Sequence, residues 1–187
     1  MIMDANESCF PEDAESGGEK IGNVVPRSMS VSEVSTDEDD SCLKAASGKR
    51  DSILVGKFLD LVNLGQVDST WKLVHRLIRM LRTCKYATED IVSVFALAVE
   101  HHKFFIASLD KEISPTERAF ILMAQLYISH CLVLDEYCII SNWHKYLFST
   151  YCDLRSLNNA VVRILKRMDW NLRVDSDMVD KHFQALL

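Results

Sequence analysis

The chain divides into two regimes. Up to about residue 50 it is rich in Ser, Glu, Asp and Gly with few large apolar residues; beyond that point apolar residues recur at helical intervals almost to the C-terminus. The first stretch cannot bury enough surface to offset its ordering entropy, so residues 1–50 are expected to form a disordered acidic tail and 51–187 one helical domain. Strand-type alternation is not evident, and Pro115 alone interrupts the helical run.

Within the domain, a short helix is predicted over 53–64, ended by Gly65 at the left-handed cap position. A second follows Asp68 as N-cap, with Trp71, Val74, Leu77, Ile78 and Leu81 on one side and Lys72, Arg76, Arg79 and Arg82 on the other. A third starts near Thr88, with Glu89 and Asp90 placed favourably for the helix dipole, and runs on toward Phe104 and Phe105. The sharpest local signal is Ser114-Pro115-Thr116-Glu117, a capping box with proline where its missing N–H costs nothing. The helix it opens, through about Leu134, is apolar on nearly every face and is predicted to be the central, buried one. Beyond Asp135 come a loop, a short aromatic helix over 142–148, a helix over 153–168 and a last one after Asp175 or Ser176. The expected fold class is all-α, with several helices around one buried helix.

Charge and composition narrow the function classes. Net charge is -6 and the acids concentrate near the N-terminus, so the folded part is closer to neutral and nucleic acid is not suggested as a partner. No uncharged apolar run is long enough for a membrane span, and the first thirty residues carry acids where an export signal would carry a basic start; the expectation is a soluble protein of cytoplasm, nucleus or both. The six cysteines follow no CxxC spacing and sit mostly in apolar patterns, as reduced thiols do.

Candidate chemistry is sparse. His130, Cys131, Cys138, His144 and Cys152 are soft-ligand types, but no paired metal spacing occurs, so core packing is expected and no metal. His101 and His102 lie late on the third helix with no nucleophile read beside them; no Gly-rich phosphate loop occurs, and neither a catalytic residue nor a cofactor is expected. Ser32, Ser35, Thr36 and Ser41 lie among acids in a context that acid-directed kinases favour, with a solubilising acidic linker as the alternative. The Lys72, Arg76 and Arg79 face is either a solvated helix face or a surface for an acidic partner.

Toward the C-terminus stand Trp143-His144-Lys145-Tyr146, Leu157-Asn158 and Leu165-Lys166-Arg167-Met168-Asp169-Trp170-Asn171-Leu172-Arg173-Val174. In order and near-correct spacing these resemble the cyclin box, closest to the PCL and PHO-type cyclins of fungi and protists. Arg118 and the run from Phe120 to Leu134, closing on Asp135, resemble that family's long buried helix and the acid after it. The resemblance covers about residues 68–174.

The resemblance implies a five-helix bundle around a central helix, with flanking short helices, and a function without chemistry of its own: a regulatory subunit that binds a cyclin-dependent protein kinase and directs or activates its phosphorylation of substrates. By resemblance the kinase interface falls at His130, Cys131, Asp135, Glu136 and Val161, while Trp143, Leu165 and Trp170 are expected as core anchors. Cyclins usually present a lysine and a glutamate to the kinase. Here those positions fall on Cys131 or His130 and on Val161. The alternative expectation is therefore a cyclin-fold adaptor that no longer activates a kinase.

Overall fold

The computed structural model describes residues 40–65, 68–109, 112–134 and 138–187, with the side chains of 40–47 and of Asp68 outside the description. Among these residues the chain is helical without strands: α1 (Asp40–Leu61), α2 (Asp68–Thr83), α3 (Thr88–Ala107), α4 (Pro115–Val133), α5 (Ile140–Trp143) running into a π-helical turn (His144–Phe148), α6 (Leu154–Arg167) and α7 (Ser176–Leu186).

The cap chemistry of α4 is the one expected. Ser114 Oγ accepts from the Glu117 N–H at 3.2 Å and the Glu117 carboxylate accepts from the Ser114 N–H at 2.9 Å, with Pro115 at the first helical position. At α3 the reciprocal half of such a box is made by Asp90, whose carboxylate accepts from the Ala87 N–H at 3.0 Å. Asp153 and Asp175 cap α6 and α7 through their side chains.

Three helix ends carry non-glycine residues in the left-handed region. Asn63 (φ 53°), Lys85 (φ 63°) and Asp169 (φ 52°) each close a Schellman turn. The bonds are Leu64 N–H to Leu59 O, Tyr86 N–H to Leu81 O and Trp170 N–H to Leu165 O. The α1 stop expected at Gly65 is thus made two residues earlier by Asn63, although Gly65 is also left-handed. The N-terminal end of α1 differs more, since the helix begins at Asp40 and not near Ile53. A half-buried ion pair helps to hold that extension: Arg82 Nη2 of α2 donates to Asp51 Oδ1 at 3.0 Å. The rest of the region expected to be disordered, residues 1–39, lies outside the described residues.

The interior is shared by two helices rather than centred on one. From Asp90 to His102 α3 has no exposed residue, and the same holds for α4 from Ala119 to His130. Around their seam packs a large apolar cluster that includes Phe58, Leu77, Leu81, Phe95, Leu122, Leu126, Trp143 and Phe148. The phenyl rings of Phe58 and Phe95 meet edge to face at 4.5 Å. A smaller cluster of Phe105, Ile121, Ala124, Ile128, Val161, Ile164 and Met168 joins α4 to α6. No helix of the described residues is long and apolar enough to cross a membrane.

Candidate functional site

The α3–α4 seam contains polar rungs as well as apolar contacts. Gln125 Nε2 donates to the His101 carbonyl at 3.2 Å, and the His102 Nδ1–H donates to Gln125 Oε1 at 2.8 Å. One turn further on, His101 Nδ1 and Ser129 Oγ are hydrogen-bonded at 3.0 Å. The serine that sequence reading did not place beside these histidines is therefore present. It is fully buried and lines neither of the two cavities described below, so the pair is an interior hydrogen bond and not a nucleophile with its base. Burial pushes the His102 pKa down to about 4, and also lowers that of His101.

The other end of α4 is built differently. His130 is 0% exposed, lies edge-on to the rings of Tyr86 (5.4 Å) and Trp143 (5.4 Å), and has no hydrogen-bond partner for either ring nitrogen. Desolvation takes its pKa to about 4, so it is a neutral ring held by aromatic edges. The next residues turn outward: Cys131 is half-buried and Leu132 is 50% exposed. Beyond them, Ile139 and Tyr146 are also exposed.

Three cysteines from separate segments meet in this region. Cys84, exposed just after α2, and Cys131 at the end of α4 both feel Cys138, in the segment between α4 and α5, electrostatically. Burial and the neighbouring sulfur raise the Cys84 pKa, and burial raises that of Cys131. Among the described residues no group of three or more ligating side chains is set to hold a metal. The His144 Nε2–H donates to the Cys152 carbonyl (2.8 Å), a bond that ties the π-helical turn to the chain after it.

The residues expected at a kinase interface are scattered by depth. His130 is wholly internal, and Val161, 8% exposed, belongs to the α4–α6 cluster; only Cys131 reaches toward solvent. Asp135 and Glu136 lie outside the described residues, as do Ser32, Ser35 and Thr36 and the side chain of Ser41. Of the expected core anchors, Trp143 is fully buried and Leu165 packs on the smaller cluster. Trp170 is instead 60% exposed. The cause is local: Asp169 takes the left-handed position that closes α6 and Trp170 follows it there (φ 55°), so the indole is carried away from the core.

Two modest cavities open at the surface. One of about 90 Å³ lies between the N-terminal ends of α2 and α4, lined by Ser69, Leu73, Thr116, Phe120 and Tyr151 among others. The other, about 170 Å³, lies where α3 meets the chain after α6, lined by Glu100, His101, Phe104, Asn171, Arg173 and Asp175 among others. Both are smaller than the roughly 300 Å³ at which ligand pockets usually begin. On α2, Lys72, Arg76 and Arg79 form an exposed cationic stripe with no carboxylate partner among the described residues, whereas Arg82 is held by Asp51 and Thr88.

No family model matches this chain, nor does any curated protein or any solved structure.

Proposed function

We propose that this chain is a cyclin-type binding subunit without chemistry of its own, whose partner is a cyclin-dependent protein kinase docked over the C-terminal end of α4. The supporting sequence features are the order of helices from α2 to α6 and the Asp169-to-Val174 ending. One observation carries the location: a helix with no exposed residue from Ala119 to His130 ends on a half-exposed leucine, Leu132, beside Cys131. An exposed apolar residue alone is ordinary, but one that continues an interior helix offers a rigid anchor for a partner.

The lysine and glutamate that cyclins usually present are replaced here by groups of which His130 and Val161 are internal. The contact is therefore apolar, through Cys131 and Leu132. Activation requires only that the subunit bind the active arrangement of the kinase more tightly than the inactive one. Affinity purification of tagged protein from its native cell, followed by mass identification, recovers a cyclin-dependent kinase, and Leu132→Asp releases it. Repeated recovery of no kinase overturns the reading.

A second reading, an adaptor that has lost kinase binding, is favoured by the exposed Lys72, Arg76 and Arg79 stripe, which has no carboxylate partner among the described residues. It predicts that charge reversal at Arg76 and Arg79 abolishes partner capture while Leu132→Asp leaves it intact.

A further inference from the structure

The cationic stripe of α2 has a counterpart in the chain itself. Lys72, Arg76 and Arg79 recur at four- and three-residue intervals, so they share one helix face, and all three are exposed. The next basic residue of the helix, Arg82, is engaged by Asp51 and Thr88, which leaves these three without a carboxylate partner among the described residues. The opposite charge is gathered before α1. Residues 1–39 hold ten acids against Lys20 and Arg27, and with a net charge of -6 for the whole chain the remainder is left slightly positive.

Length and direction decide which acids reach the stripe. α1 and α2 are joined by a short connection and pack side by side, so they run antiparallel, with Asp51 opposite Arg82. α1 begins at Asp40, so its start stands roughly 16 Å beyond that ion pair, at about 1.5 Å per residue. The return from Asp40 to Arg79 and on to Lys72 is then roughly 20–30 Å, too far for Asp37, Glu38 and Asp39 at about 3.3 Å per residue. Glu33 has the reach but stands alone; Glu12, Asp13, Glu15 and Glu19 form the nearest dense acidic cluster with enough chain behind it. Twenty residues of coil, the number between Glu19 and Asp40, have an r.m.s. length of about 25 Å, and a tether works best when that length matches the span. Extended, Glu12 to Glu15 covers about 10 Å, the same as the rise from Lys72 to Arg79.

We propose that residues 12–19 return across the end of α2 and lie on the Lys72, Arg76 and Arg79 face, as its occupant within the same molecule. Each pair is exposed and individually weak. The tether compensates, because it holds the acids near the stripe at an effective concentration on the order of millimolar. Salt disperses the contact, since the screening length falls from roughly 30 Å at 0.01 M to about 3 Å at 1 M. An outside acidic partner reaches the same face only by displacing this segment. The occupancy holds whether the chain binds a kinase or another protein.

The test is carbodiimide coupling of the full chain, which joins an amine to a carboxylate only when the two are in contact, followed by digestion and mass analysis. An equal mixture of unlabelled and isotope-labelled chains separates coupling within a chain from coupling between chains. At low salt Lys72 is expected to join Glu12, Asp13, Glu15 or Glu19 of its own chain, with the yield falling roughly tenfold at about 1 M salt. Arg76→Glu combined with Arg79→Glu lowers the yield by a similar factor, and circular dichroism shows that the double variant remains helical. Lys72 that couples only between chains, only to Glu33, Asp37, Glu38 or Asp39, or to no acid of residues 1–39 overturns the proposal, as does a yield that salt leaves unchanged.

Discussion

Helix α4 is held in two different ways along its length. Its first four turns are capped reciprocally by Ser114 and Glu117, packed on apolar side chains, and registered against α3 by Gln125 and Ser129, whose polar groups are partnered. Its last turn carries a buried histidine with neither nitrogen bonded, then a half-buried cysteine and an exposed leucine. The first region ties the side chains of Gln125 and Ser129 to α3, although His102 Nε2 and Arg118 Nε are buried without a partner. The second keeps an unsatisfied ring next to exposed apolar surface, which is how a binding surface is set apart from the framework that carries it.

That contrast is breakable by substitution. Gln125→Met removes the partner of His102 Nδ1 and one of two bonds to the His101 carbonyl, which keeps its place in the α3 ladder, and is expected to cost about 1–3 kcal/mol in urea unfolding, since one buried group is left without a bond. His130→Phe at the other end removes no bond and keeps the aromatic edges, so it is expected to be neutral or to stabilise by up to about 1 kcal/mol. Equal losses at the two sites would erase the distinction.

A pH series sharpens it. His102 and His130 titrate at about 4 when folded against 6.5 when free, so below pH 6.5 the unfolded chain binds more protons than the folded one. Folding stability is therefore flat above pH 6.5 on this account and declines from there toward pH 4, by up to about 1.4 kcal/mol per pH unit for each histidine. In His130→Phe the decline should lose one histidine's share. An unchanged slope would mean that His130 is not neutral in the folded chain.

Smaller effects test the framework alone. Ser114→Ala should cost about 1 kcal/mol in the same unfolding assay through loss of the α4 cap. Trp170→Ala should change stability by less than about 0.5 kcal/mol, because its indole is mostly in solvent; a loss of several kcal/mol would restore it to the core.

The sequence made the framework legible and the functional end less so, for reasons visible in single residues. The start of α4 could be read because a capping box is a local device whose residues act on one another within four positions. The order of the helices followed from apolar spacing. What could not be read was long-range. The first turns of α1 lack an apolar stripe, and the ion pair between Asp51 and Arg82 that helps to hold them spans two helices. Trp170 looked like an anchor by type, and only the successive left-handed residues at 169 and 170 turn it outward. Ser129 is brought to His101 by tertiary packing, which no spacing rule encodes.

Hydrogen exchange of the full chain, alone and bound to the kinase it recovers, locates the surface that the partner covers. Binding is expected to slow exchange at the C-terminal end of α4 and through α5, over residues 131–148, and to leave α2 unchanged. Protection confined to α2 over residues 68–83, with residues 131–148 unaffected, would contradict it.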